Sequence, residues 1–281
     1  MIWLKHIKNK RKSEKSLQKT IKKLDQSSEI KIKKKTESYK DFMEDFLTMT
    51  NFIRTKVNLF WETNLYESAK KELVILITSD KGLWSWLNTK VLKNFNSDFK
   101  EKKANTEVFC IGKKSLEFAV KSNYSITGET TINDNFSEND LSTLYTFLIS
   151  AIDTKKYSHI SLYFNYFKNT TVQVPVNFQL FPLTENSFNQ FTKNLWVNLK
   201  SNLDNNSITL EPTPKIIRDE LIKQLIQHML YGAILQNKSG DYNSHTVVVK
   251  NTITPSLSTK FTKERQRMMA KKIISTKMFI E

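Results

Sequence analysis

Glycine and proline are scarce, five of each in 281 residues, and there is a single cysteine. So little glycine excludes a glycine-rich phosphate cradle, and so few breakers favour long uninterrupted elements. One cysteine, Cys110, excludes an internal disulfide and any metal site built from cysteine pairs. It fits a reducing compartment, where a buried thiol acts as a small hydrophobe. No apolar run approaches the ~20 residues that a membrane span needs. Met1 to Lys10 lacks the apolar stretch of roughly 7–15 residues found in a secretory signal. The expectation is a soluble, cytoplasmic protein. His6, His159, His228 and His245 show no metal-ligand spacing, so no metal site is assigned.

What is present is lysine, and its placement matters more than its number. Residues 1–40 hold 14 basic and 4 acidic side chains, residues 250–281 hold 8 and 2, and residues 41–249 hold 22 of each. The whole net charge of +16 therefore sits at the two ends of the sequence. A nucleic-acid-binding domain usually spreads its surplus over one folded face. Two distant ends with one charge character instead suggest one shared location.

Residues 3 to about 60 carry helical periodicity without a Gly or Pro. Leu17, Ile21, Leu24, Ser28 and Ile32 step by four, three, four and four, and Tyr39, Phe42, Phe46, Met49, Ile53 and Phe60 continue the stripe. Such a helix is roughly 85 Å long and needs a partner helix. Two shorter helices bent near Ser27–Ser28 are the alternative.

The middle changes character. Leu73–Thr78 is a continuous apolar run, as in a strand buried on both faces of a parallel sheet. A helix from Trp84 to Phe95, a strand at Glu107–Ile111, a short helix at Ser115–Val120 and a strand at Tyr124–Thr127 follow. Then come a helix at Leu141–Ile152 and two strands, His159–Phe164 and Thr171–Phe178, joined as a hairpin. Alternation of this kind predicts a small Rossmann-like α/β domain. Residues 184–211 read as polar loop with a helix near Phe188–Leu199. Pro212 and Pro214 announce a helix that keeps its spacing to Leu235, weakens over Asn237–Asp241, and resumes from Ser256 to Phe279. A bend or unwinding near Gly240 or Pro255 is expected. The predicted organisation is α/β: an N-terminal helix in 1–65, an α/β insert in 66–211 and a C-terminal helix in 212–281, the terminal helices paired as an antiparallel coiled coil.

Three segments resemble the gamma subunits of F-type ATP synthases. They are the lysine-rich opening helix, with Leu4–Lys8, Ser16–Lys19 and Lys31–Lys34; the string Thr78-Ser79-Asp80-Lys81-Gly82-Leu83, ending at Asn88; and Arg265-Gln266 after the Met229–Tyr231 helix. The resemblance implies a central rotor shaft inside a hexameric ring of alpha- and beta-type ATPase subunits. It implies no catalytic residue, cofactor, small-molecule ligand or nucleic acid on this chain, with ATP/ADP and Mg on the partner subunits. It extends to an epsilon-type subunit and to a membrane ring or another driven machine, and to a peripheral position at the inner face of the cell membrane. By position, Leu17, Ile21, Leu24, Ser28, Ile32, Arg265, Gln266, Met269 and Ile273 are the implied rotor-ring contacts. The sequence also departs from the family. Trp84-Ser85-Trp86 stands where small residues usually follow Gly-Leu, and the glycine- and alanine-rich C-terminal stretch is replaced by Thr246–Val249 and Pro255. These departures suggest a specialised motor, of the sort that includes motility machines, over the housekeeping synthase. The alternatives are a nucleic-acid-binding protein with basic helical arms and a purely structural coiled coil. The first conflicts with the neutral insert; the second leaves Thr78–Leu83 unexplained.

Overall fold

A computed structural model describes residues 30–60, 71–80, 85–131, 136, 138–168, 172–194, 211 and 213–248. Helix α1 covers residues 30–53. The insert then runs β1 (Glu72–Ile77), α2 (Ser85–Phe99), β2 (Thr106–Ile111), α3 (Lys113–Lys121), β3 (Ser125–Thr130), α4 (Ser142–Asp153), β4 (His159–Phe167), β5 (Gln173–Phe181) and α5 (Glu185–Asn194), and the chain closes on α6 (Pro214–Val248). Short 3-10 helices, Lys100–Asn105 and Glu138–Leu141, precede β2 and α4.

The sheet order is β3-β2-β1-β4-β5. The first four strands are parallel, and β5 pairs antiparallel with β4 as the predicted hairpin. Side-chain alternation along each strand assigns the two faces. Val74, Leu76, Val108, Cys110 and Tyr163 pack with Val91, Phe95, Phe99 and Ala119 of α2 and α3. Leu73, Ile75, Ile77, Phe109, Ile111, Leu162 and Phe164 pack against α1, α4, α5 and α6. The crossovers through α2 and α3 lie on one face and the return through α4 on the other. The direction of winding thus reverses between β1 and β4, the position where doubly wound sheets place their crevice.

Both flanking helices depart from the sequence expectation in detail. Helix α1 ends at residue 53, short of 60. Residues 54–58 turn away, with Val57 N–H donating to Ile53 O and Leu59 N–H to Arg54 O, and Asn58 takes φ 50°. Asparagine tolerates this left-handed stop. The buried stripe of α1 is Ile32, Met43, Leu47 and Thr50, whereas Phe42 (45% exposed) and Met49 (53%) face outward. Two overlapping three-four stripes share Tyr39, Phe46 and Ile53, and sequence spacing alone picked the outer one. Helix α6 runs without a break through Asn237–Asp241 and Gly240, contrary to the expected weakening. Every residue from Met229 to Tyr242 except Gln236 and Lys238 is buried, so packing on all sides outweighs the poor local propensity. Gly240 lies against β5, where Gln173 Nε2 donates to Gly240 O at 3.1 Å and an added Cβ would stand 2.5 Å from Gln173 Oε1. Helix α5 begins at Glu185, three residues before the expected start. Residues 195–210 and Pro255 lie outside the described residues.

Helices α1 and α6 lie side by side. The Thr36 and Ser239 hydroxyls share a hydrogen bond of 2.9 Å, Tyr39 OH donates to His228 O at 2.6 Å, and the Tyr39 ring meets Tyr231 edge-on at 5.0 Å. Farther along α1, Phe46 meets His228. Partner numbers fall along α6 as they rise along α1, so the two segments are antiparallel. Lys35 adds a third attachment: its Nζ donates to Phe136 O at 2.7 Å and lies over the rings of Phe136 and Tyr231.

Candidate functional site

The motif Thr78–Leu83 begins where β1 ends, at the reversal point of the sheet. Thr78 N–H continues the ladder to Ile111 O at 2.8 Å. Its hydroxyl accepts Ser115 N–H at 2.8 Å, and Asp80 Oδ1 accepts Lys113 N–H at 2.8 Å. The first N–H groups of a helix have no partner within it. Here two such donors of α3 are taken by side chains from the end of β1. Behind them, Asn88 Oδ1 accepts Ser79 N–H at 3.1 Å and Asn88 Nδ2 donates to Ser79 Oγ at 3.3 Å, with Asn88 and Ser79 both buried. Ser115 Oγ donates to Gly112 O at 2.7 Å. Gly112, at φ +97°, lets β2 pass so close that an added Cβ would stand 2.3 Å from Thr78 O.

This knot lies directly under α6. Ile234, Asn237 and Lys238 face Ile77, Thr78, Asp80, Ile111 and Gly112 across a cleft of about 10 Å³, room for one water at most. The N-terminal donors of α3 are thus taken up within the chain, and the cleft above them is too small for a phosphate group. What the arrangement does is mechanical: it ties the end of the central strand to two helices on one side and to α6 on the other.

At the opposite end of the same strands, Glu107 opens β2 with its side chain 8% exposed. It receives Lys71 Nζ, Lys156 Nζ at 3.1 Å and Tyr157 OH at 2.6 Å. Burial alone would raise its pKa, but the hydrogen bonds from Lys71, Tyr157 and Lys156 and the Lys156 charge outweigh that and bring it down to about 2. Burial, and then the bond to Glu107, pushes the Tyr157 phenol up. The one signal of this group in the sequence is an acid directly before the apolar run Val108–Ile111.

Of the sequence-predicted residues, Thr78, Ser79 and Asp80 meet in the knot. Lys81, Gly82 and Leu83 lie outside the described residues, as do Leu17, Ile21, Leu24, Ser28, Arg265, Gln266, Met269 and Ile273. Ile32 is 5% exposed and turned into the chain's own packing. Among the described residues no three His, Cys, Asp or Glu side chains gather as a metal site, and no helix is long and apolar enough to cross a membrane.

A family model described as ATP synthase matches residues 3–274. The ATP synthase gamma chain of Buchnera aphidicola subsp. Schlechtendalia chinensis is 26% identical over 227 residues, spanning 79% of this chain and 74% of that protein. The ATP synthase gamma chain of Akkermansia muciniphila is 23% identical over 209 residues, 72% of this chain and 71% of that one. Among solved structures, a chain from the central stalk and c-ring of the Tetrahymena thermophila mitochondrial ATP synthase superposes with a TM-score of 0.53 at 14% identity, covering 81% of this chain and 98% of that chain. At that identity the structural likeness speaks for the fold, and the sequence relationship speaks for kinship. This chain belongs to the ATP synthase family, as a divergent relative of its gamma chains.

Proposed function

We propose that this chain is the central shaft of a rotary ATPase, turning inside a hexameric ring of alpha- and beta-type subunits that bind ATP/ADP and Mg. The observation that carries this reading is the antiparallel pairing of α1 with α6, anchored to the insert by Lys35 and Tyr39 and backed by the Thr78–Asp80 knot. In this reading the pair continues beyond the described residues as a coiled coil, built from 1–65 and 212–281 with 66–211 as the insert. The shaft shows each catalytic site a different face, so the sites differ in affinity through a coupling free energy carried by contact. The chain supplies no bond chemistry. An epsilon-type subunit and a membrane ring or another driven machine complete the assembly, at the inner face of the membrane, and the Trp84–Trp86 departure favours a specialised motor.

Rotation tests the reading. Cys110 is buried and its thiol is pushed up to about 11, chiefly by burial, so it resists labelling. A cysteine placed at exposed Lys90 then takes a bead specifically. The bead is expected to turn in one direction when the assembled complex hydrolyses ATP. Hydrolysis at full rate with a stationary bead would overturn the assignment.

Two further outcomes follow from the same reading. The purified chain, free of partner subunits, should show no ATP turnover above buffer; measurable turnover that co-elutes with it would refute a passive shaft. Replacing Arg265 and Gln266 together with alanine should slow ATP turnover of the assembled complex about tenfold, as expected when a hydrogen-bonded charged contact is lost, while the insert keeps its melting profile. Wild-type turnover in a normally assembled double variant would remove these two residues from the ring contacts.

A further inference from the structure

The strand-start edge of the sheet, at the end opposite the knot, carries a positive surplus that the rest of 71–194 lacks. Four neighbouring segments form it: Lys71 and Glu72 leading β1, residues 100–107 leading β2, 121–125 leading β3, and 153–159 leading β4. They hold seven lysines (71, 100, 102, 103, 121, 155 and 156) against four acids, whereas the remainder of 71–194 holds seven basic and eight acidic residues. Two of the four acids are engaged internally: Glu107 is buried under Lys71 and Lys156, and Glu72 pairs with Lys102 at 3.6 Å. The lysines stay largely in water, with side-chain exposures of 52% for Lys71, 62% for Lys102 and 45% for Lys156, and Lys100, Lys121 and Lys155 exposed as well.

We propose that this lysine edge docks on an anionic phospholipid surface. A protein partner is the weaker match, because protein interfaces build an apolar core and are depleted in lysine. Here the aromatic residues of the edge, Phe99, Tyr124 and Tyr157, are all buried. Among the described residues, Val120 (58% exposed, beside Lys121) and Ile126 (36%) are the exposed apolar side chains next to it, too few for such a core. An anionic bilayer asks only for a plane of basic groups close to its surface, and each contributes to binding within a Debye length. The edge also faces the right way to be reached. Thr36 and Ser239 pair near the knot, while Arg54, just past the far end of α1, pairs with Glu185 at 3.1 Å beside the start of β4 and the end of β5. The described ends of α1 and α6 at residues 30 and 248 therefore leave from the opposite end, so the helix pair does not cover the lysines.

The test uses the full chain with vesicles of 30 mol% phosphatidylserine in phosphatidylcholine, at physiological salt. Lys100→Glu, Lys121→Glu and Lys155→Glu together form the edge variant. Lys90→Glu, Lys93→Glu and Lys168→Glu together form a control with the same net charge, and matched thermal melts establish that both are folded. The basic ends of the sequence are identical in all three proteins. The edge variant should lose at least about tenfold in vesicle affinity, three lysines each contributing a few-fold, and the control should stay within about twofold of the unaltered chain. Equal loss in both variants would assign binding to overall charge and overturn the proposal. So would absence of binding by the unaltered chain, and so would binding of soluble polyglutamate through the same three lysines with no vesicle binding, which would reassign the edge to an acidic protein. The chain alone suffices, so these outcomes are independent of whether it turns as a shaft.

Discussion

Gly112→Val is expected to unfold the insert or to lower its stability by about 3 kcal/mol or more, in a urea titration of the pure chain followed by circular dichroism. Two effects add. The residue sits at φ +97°, ψ 151°, a region that side chains with a Cβ avoid at a cost of about 1–3 kcal/mol. The new Cβ would also stand 2.3 Å from Thr78 O and 3.0 Å from Thr78 C. Those atoms are backbone at the end of the central strand, and they cannot rotate away as a side-chain tip would. Relief requires β1 to part from β2 at Thr78–Ile111, which also releases the bonds from Ser115 to Thr78 and from Lys113 to Asp80. Gly112→Ala should show the same sign with a smaller size, since its Cβ alone makes the contact. A valine variant within about 1 kcal/mol of the parent would mean that the knot is slack, and the mechanical role given to it would fall with that result.

Much of this fold is legible in the sequence. The buried parallel strands announced themselves as uninterrupted apolar runs, because a strand covered on both faces has no polar side to alternate with. Leu73–Ile77 and Val108–Ile111 fall where the runs placed them. The neighbouring runs His159–Phe164 and Thr171–Phe178, only six residues apart, mark the β4–β5 hairpin. Phase was not legible: α1 is apolar at Phe42 and Met49 as well as at Met43 and Leu47, and which stripe turns inward depends on where α6 lies. Continuity of α6 was missed for a related reason. Asn237, Ser239, Gly240 and Asp241 are poor helix formers, yet the surrounding sheet and helix hold them in line. The Thr78–Asp80 string pointed to a special strand end through resemblance alone. Asn88, which ends the same string, does hold Ser79, whereas the partners Lys113 and Ser115 come from another element and carry no spacing signal.

Removing the carboxylate at the other end of β2 should be nearly as damaging, and its effect should depend on pH. Glu107 ionises in the folded chain at about 2, against 4.5 for an ordinary glutamate. A depressed folded value means that the unfolded chain binds the proton more readily, so stability is fully present above about 4.5 and is lost as pH falls from there through about 2. With the side chain 8% exposed, a shift of this size corresponds to about 2–3 kcal/mol at neutral pH. Glu107→Gln should forfeit most of that at pH 7, because an amide cannot pair with both Lys71 and Lys156 and accepts less strongly from Tyr157. The lysines are about half exposed and recover water, which keeps the loss below that of a fully buried pair. Urea midpoints measured from pH 7 down to pH 3 should converge for the two proteins, since acid takes from the parent what the substitution has already taken from the variant. Parallel lines over that range, with a constant gap, would show that Glu107 titrates normally and that the variant suffers from packing alone.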